Sequence, residues 1–527
     1  MFKRTIIASA VLLATSSVWA ASTGNQATVT QAQVGNTATI YQVVASVDNK
    51  ASIDQDGNAN TAVTTQKNTG ESEAQTRQAG NDNQGFILQQ GDTNLSRATI
   101  DTSGNDNRAD VTQQFENGGA VATVTQVGDS NAATITQENG DKAFSAITQN
   151  SANNTAVIAN QISDFATATV TQQGRGSHDA QLIQQAADGA SAEIDQRGES
   201  NTAKVLQATG SYDYVANEGT SAVVTQSGSL NNADVTQLDR ANVATVNQSG
   251  TGGEVTTLQK GSVAGEGNTL LAKQAGSGEK AVLTQTGNRN QIETDQSGTD
   301  DGLTVSQIGN ENIANAKQSG TEEVAVITQV GNGNQSDTNQ QGGGNSALVN
   351  QAGDNNKAVV DQLASSTDGV VTIDQVGDDN YANAVQQAGS GNTIDIDQNG
   401  TGNQVASARN VEGKGAWTWG SGNELTVAQK GTDNWAYADA SHSDSVVKVT
   451  QDGQLNNAKV ESYLGSSNEL TVSQTGNNHQ ADVYVNAGAG GGDNLVKVVQ
   501  AESFNTASVD VSGSNNQAYI YQGAGSN

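Results

Sequence analysis

The chain has 527 residues, with 55 acidic against 24 basic, a formal net charge of −31 at pH 7 and a pI near 4.2. So acidic a chain argues against nucleic acid as a partner, and the absence of cysteine excludes disulfides and thiolate metal sites. With 34% apolar and 4% aromatic residues, composition alone would place it near the disordered class, so any fold has to come from pattern.

In chain order, the first stretch reads as a targeting segment. Lys3 and Arg4 precede an apolar run over 6–13, and Val18-Trp19-Ala20 places small residues where a signal peptidase reads, predicting a signal peptide over 1–20. The apolar run is far shorter than the ~20 residues that span a bilayer. Removing Lys3 and Arg4 leaves 22 basic residues against 55 acidic, a mature charge of −33.

From about residue 26 onward the chain is repetitive. Gln-x-Gly-x-x-Asn occurs sixteen times between Gln55 and Gln451; Gln126-Val-Gly128-Asp-Ser-Asn131-Ala-Ala133-Thr-Ile135-Thr-Gln137 is a complete early copy. The most regular stretch has glutamines at 285, 296, 307, 318, 329, 340, 351 and 362, each eleven residues after the last. The Gly-x-x-Asn turns give Gly287 with Asn290, Gly309 with Asn312, Gly331 with Asn334, Gly342 with Asn345 and Gly353 with Asn356. Looser Ser-Gly-Thr turns follow Gln296 and Gln318, so the full unit is about 22 residues long. A period in that range predicts a stacked repeat array.

Each unit reads as strand, turn, strand. Ala281, Leu283 and Gln285 fall on one face of a strand, as do Asn290, Ile292, Thr294 and Gln296 on the next. Gly and Asn tolerate the positive φ of a tight reversal. Two strands per unit then face each other across a thin interior lined by Ala, Val, Ile and Leu, but also by Gln and Asn. A buried amide is costly unless its donors and acceptors are met. Parallel stacking meets them by placing each amide against its counterpart one rung away, the ladder of cross-β structures at ~4.8 Å per rung. The predicted fold is therefore an all-β, amyloid-like β-solenoid with Gln/Asn ladders, a single domain over 21–527 of roughly 22 to 24 rungs, ~110 Å long at one strand spacing per rung. The predicted self-assembly ladder comprises Gln285, Asn290, Gln296, Gln307, Asn312, Gln318, Gln329, Asn334, Gln340, Asn345, Gln351, Asn356 and Gln362. The absence of proline fits a ladder whose strands nearly all have neighbours on both sides.

Three segments break the pattern, 208–220, 260–273 and 409–447. The last holds Trp417, Trp419 and Trp435, read as a bulged or looped-out rung or, alternatively, as an aromatic patch for carbohydrate or a surface. His178, His442 and His479 fall in no motif and read as solvated. Asp300-Asp301 and Asp378-Asp379 read as solvated turn residues. Asp300, Asp301, Glu322 and Glu323 recur at one corner and read as charges that slow association. The run Gly488–Asp493 is similar to one calcium-binding nonapeptide, but such repeats act in tandem, so no metal or other cofactor is expected. No catalytic constellation is found and no enzyme is expected.

The unit Gln340-Gln-Gly-Gly-Gly-Asn345-Ser-Ala347-Leu-Val-Asn-Gln351 resembles the curlin repeat, Gln-x-Gly-x-x-Asn-x-Ala-x-x-x-Gln, of bacterial curli fibre subunits. It departs in having Ala where that family has Ser before the first Gln, as at Ala122 and Ala281, and in carrying several times the usual number of repeats. The resemblance implies a secreted subunit that self-polymerises into extracellular functional amyloid of the biofilm matrix, mediating adhesion and aggregation. It also implies a nucleating minor subunit, an outer-membrane secretion pore and a periplasmic chaperone as partners. The alternative is a monomeric extracellular solenoid that is adhesive or binds ice or carbohydrate through outward threonines such as Thr123, Thr125, Thr134 and Thr136.

Overall fold

A computed structural model describes residues 22–115, 118–208, 220–261, 266–408 and 413–523. The expected signal peptide lies outside the described residues, as do 209–219, 262–265 and 409–412 within the three irregular segments. The chain divides into two units, residues 1–268 and 269–527.

The alternation Ala-x-Ile/Val-x-Gln, with β-branched residues on a pleated half-buried surface, makes every described element a strand. In the first unit ten strand pairs run from Gln26–Ala32 and Thr37–Val43 to Val243–Gln248 and Glu254–Lys260. The first strand of each pair joins one parallel sheet and the second joins the other, in register: Ala122, Val124 and Gln126 stand over Ser145, Ile147 and Gln149. In the second unit eleven pairs run from Thr269–Gln274 and Lys280–Thr286 to Thr506–Ser512 and Gln517–Gln522. There Gln285 pairs with Gln307, and Gln296 with Gln318, 22 residues apart.

The described residues thus form twenty-one rungs rather than 22 to 24. The reason is that insertions lengthen individual rungs. Gln196 stacks on Gln226 thirty residues on, and Gln398 on Gln429 thirty-one on. Such lengthening costs little because loop-closure entropy rises slowly with length. Much of the expected irregularity is regular strand: Thr269–Gln274, Glu424–Thr432 and Trp435–Ser441 all keep their register. The disturbance in the third segment interrupts a single strand, split into Gln404–Val405 and Ala416–Trp419, both paired to the same neighbours.

The interior is a stack of columns. Ala281, Leu283 and Gln285 are buried, as are Leu303, Val305 and Gln307 above them. The intervening Thr304 and Ser306 face outward, as do Thr123, Thr125, Thr134 and Thr136. At the corners backbone lies on backbone. Gly309 has φ +122°, and a Cβ there would overlap the carbonyl oxygen of Gly331 in the next rung. The turn's left-handed residue is the one before the Asn: Glu311 has φ +60°, whereas Asn312 is not in that region. The sequence-based reading of Asn as a positive-φ residue is corrected here, since its side-chain hydrogen bonds are what the corner uses.

Gly309→Ala should therefore cost more than about 2 kcal/mol, because strain and overlap combine. Gly302→Ala, with open space at its Cβ and no positive φ, should stay within about 0.5 kcal/mol. Urea unfolding of both variants checks this.

Candidate functional site: the amide ladders

Two kinds of ladder run along each unit. In the glutamine ladder Nε2 donates to the Oε1 of the glutamine in the following rung. Along one sheet of the second unit this links Gln285, Gln307, Gln329 and Gln351 at 2.8–3.0 Å. Along the other it links Gln296, Gln318, Gln340 and Gln362 at 2.9 Å. The second Nε2 hydrogen crosses the interior to a backbone carbonyl, as from Gln307 to Gln291 at 3.0 Å and from Gln318 to Gly302 at 3.0 Å. A buried primary amide is satisfied this way without water.

The asparagine ladder runs with the opposite sense at the corners. Asn312 donates from its backbone N–H and its Nδ2 to Asn290 Oδ1, at 3.1 and 3.0 Å, and from Nδ2 to the Gly331 carbonyl at 2.8 Å. Asn334 and Asn356 repeat the arrangement. Asn345 stands at the opposite corner, where its Nδ2 donates to Glu323 Oε1 and the Ser366 carbonyl. Every predicted ladder residue is buried, and the structure brings them together as four columns. Gly287, Gly309, Gly331 and Gly353 share one corner, and Gly342 stands at the other, where a Cβ would overlap Ser366 O.

The curlin-associated repeat model matches residues 80–114, 420–453 and 443–476. Those stretches hold Gln89 and Gln113, and Gln429 and Gln451, all members of the glutamine ladder. The chain thus carries curlin-associated repeats in each of its two units. A comparison with curated proteins returns no match.

The glutamine ladder is not uniform. In the sheet that carries Gln296 it ends at Gln386, whose register continues through Thr418, Ala440, Ser462, Val485 and Val511. Two of the sixteen sequence matches are out of frame: Asn94 is exposed, and Gln386 rather than Gln387 occupies the ladder.

Three sequence-based readings require correction. His178 and His479 are buried rather than solvated, and each stands in a corner column in place of Asn. His178 Nδ1 accepts the Asn201 N–H at 3.3 Å, and its Nε2 faces the Gln173 carbonyl at 3.0 Å. A neutral ring protonated on Nε2 supplies the acceptor and the donor that Asn supplies, and burial lowers the pKa of His178 from its ordinary value. His442 is half-buried against Trp419, ring centroids 5.1 Å apart. Asp301 and Glu323 are buried at corner positions, while Asp300 and Glu322 carry the positive φ at the turn before them. The gatekeeper reading therefore applies to Asp300 and Glu322 only. Nothing in the local sequence separated the two kinds, since both are acidic residues in a turn.

The tryptophans lie on strands. Trp417 is in register with Val385 and Asp439, and Trp435 with Gln404, all on an outward face. Lys414 Nζ stands 4.5 Å from the centre of the Trp417 ring. Asp439 is buried beneath this layer, accepts a hydrogen bond from Ser441 at 2.7 Å, and is pushed up to about 7 chiefly by burial. Sequence reasoning passed over it because an outward strand position does not normally bury a carboxyl.

Gln307→Ala, Asn312→Ala and Gln318→Ala combined should destabilise the second unit by several kcal/mol, about 1–3 per stranded amide. The outward set Thr304→Ala, Ser306→Ala and Lys317→Ala should change little; equal losses in urea unfolding would overturn the inward assignment. His178 supplies a pH prediction. The unfolded chain takes up a proton that the buried ring refuses, so this corner is fully stable above about 6.5 and weakens as pH falls below it. His178→Asn should remove that loss, read from hydrogen exchange around Asn154 and Asn201 at pH 7.5 and 5.

Proposed function

We propose that this protein is a structural subunit that polymerises end to end into extracellular fibres through its ladders. The observation that supports this is that the stacked columns run through to the first and last described rungs. In the last described rung Ala518, Ile520 and Gln522 are only half-buried, while Val496, Val498 and Gln500 one rung earlier are fully buried. In the first described rung Val29, Gln31, Ile40 and Gln42 are likewise uncovered. The two edges are chemically complementary in the sheet that holds Gln42 and Gln522; in the other sheet the column that begins at Gln31 ends in Val511. Gln31 and Gln42 donate to Gln55 and Gln66, so their Oε1 atoms face outward as acceptors. Gln522 accepts from Gln500 and spends one Nε2 hydrogen on Thr506 O, leaving the other directed outward. Donor edge and acceptor edge meet head to tail, a heterologous contact that gives open filaments rather than closed rings.

On this reading the protein is not an enzyme. It leaves the cell through the predicted signal peptide, with a chaperone, a secretion pore and a nucleating subunit as its partners, and it serves biofilm adhesion. A second, adhesive reading draws on one outward face. Trp419 is 44% exposed, Tyr463 is 49% exposed and stacks on Tyr484 at 6.2 Å, and Trp417, Trp435 and Tyr437 lie on the same sheet. Replacing Trp419 and Tyr463 by Ser would separate the two roles if fibres form normally and adhesion is lost.

Purified chain without residues 1–20 should form fibres that diffract at ~4.7–4.8 Å along the axis. Ala518→Lys with Ile520→Lys should slow elongation about tenfold or more, since a charge in an apolar column costs well over 1.4 kcal/mol. Dye-binding kinetics checks this, and unchanged elongation would overturn end-to-end stacking.

A further inference from the structure

An Asn at a corner has two tasks. It accepts the backbone N–H of the corresponding residue in a neighbouring rung and donates to a carbonyl, whereas Ala120, Ala143, Ala166 and Ala190 fill corners with an apolar side chain that leaves no polar atom to satisfy. Asn312 accepts from Asn334 N–H at 3.0 Å and donates to Gly331 O at 2.8 Å. His178 performs both tasks as a neutral ring.

At three successive rungs of the second unit one corner holds carboxyl groups instead: Glu279, Asp301 and Glu323, each followed by residues in register, Lys280, Gly302 and Val324. All three are buried. The accepting task is kept at two of them: Asp301 Oδ1 takes the Glu323 N–H at 2.9 Å, and Glu323 Oε1 takes the Gly342 N–H at 2.8 Å and Asn345 Nδ2 at 3.2 Å. The donating task is not. Asp301 Oδ2, Glu323 Oε2 and both Glu279 oxygens lack a partner at hydrogen-bond geometry, although the backbone and carboxyl of Asp301 lie near enough to act on the Glu279 carboxyl. Carbonyls lie close by: a Cβ on Gly298 would overlap both Gly320 O and Asp301 Oδ2, and one on Gly320 both Gly342 O and Glu323 Oε1. An ionised carboxylate has nothing to donate there, whereas a protonated one carries the missing O–H.

The surroundings favour the proton. Burial comes first among the causes that raise all three groups, with Glu279 pushed up to about 7; Asp301 and Asp300 add repulsion at Glu279, Asp300 at Asp301, and Asp301 at Glu323. No basic group is among the charges acting on them, and the adjoining Lys280 is exposed. The carboxyls are stacked in single file, and among the described residues no group of three or more His, Cys, Asp or Glu side chains is arranged to hold a metal ion.

We propose that the Glu279–Asp301–Glu323 column is a proton-operated lock, which closes these three rungs when its carboxyls are protonated and loosens them when they ionise. The native column holds protons that the unfolded chain releases near 4.5 at Glu279 and Glu323 and near 3.8 at Asp301, so its stability is full below those values. It is lost as pH rises above them, through about 7 at Glu279, the reverse of the His178 corner. The lock does not depend on polymerisation and is present in a single copy of the chain.

The test is hydrogen exchange, read by mass spectrometry on soluble chain without residues 1–20 at pH 4.5, 6 and 7.5 and corrected for intrinsic rates. The open form of the corner around Glu279 should become about a hundredfold more populated across the range, given tenfold per pH unit per proton, and the corners around Asp301 and Glu323 should open in the same direction. The corners at Asn290, Asn312 and Asn334 of the same unit should not change. The triple variant Glu279→Asn, Asp301→Asn, Glu323→Asn should keep its protection throughout. An infrared band of protonated carboxyl at pH 6, reduced in Glu279→Gln, provides a second reading that does not require the triple variant to fold. Protection independent of pH, a slope that survives in the triple variant, or a band unchanged in Glu279→Gln would each overturn the lock.

Discussion

The structure depends on one constraint: a primary amide buried in a thin interior must have both hydrogens and its oxygen engaged. Gln307 meets it through the next rung's glutamine and through a carbonyl across the interior. The first of these partners does not exist in an isolated rung. Stability therefore belongs to neighbouring pairs rather than to single repeats, as in other quasi-one-dimensional proteins. The same constraint aligns strands in parallel and in register, because only then does each amide face its own kind.

That constraint is tolerant about identity. A corner accepts Asn, neutral His, Ser or a carboxyl that presents an acceptor to the next backbone N–H, as at Asn290, His178, Ser72 and Asp301, and it accepts Ala, which has no polar atom to satisfy, as at Ala120, Ala143, Ala166 and Ala190. It is also tolerant of insertion. Rungs of 22 to 31 residues share the same column, because additional residues leave at a corner or, once, from the middle of a strand. Where the Gln386 ladder ends, small and apolar residues continue the inner column, and the large aromatic side chains gather on the outer face of that same sheet.

Charge is arranged against this background. Most carboxylates of this acidic chain are in turns or on outward faces, where water screens them. Those drawn into corners or beneath the aromatic layer behave differently. Burial raises Glu279, Asp301, Glu323 and Asp439, while it lowers His178. Groups of opposite charge type in equivalent surroundings are thus both driven toward their neutral forms.

What the sequence determined by itself was whatever repeats. The eleven-residue spacing of Gln285 to Gln362 is enough to specify strand, turn and strand. Alternation placed Ala281, Leu283 and Gln285 inside and Thr304 and Ser306 outside, because strand periodicity is a local property. The curlin repeat was legible for the same reason. Only the tertiary structure decided what single residues do where the pattern is broken. Asp300 and Asp301 are adjacent acids in one turn, yet one bends the chain in water and the other enters a buried column. His178 has no motif about it, yet a ring in that column serves as an asparagine. Whether a side chain faces solvent or a neighbouring rung depends on residues about 22 positions away, and that separation is closed only by stacking.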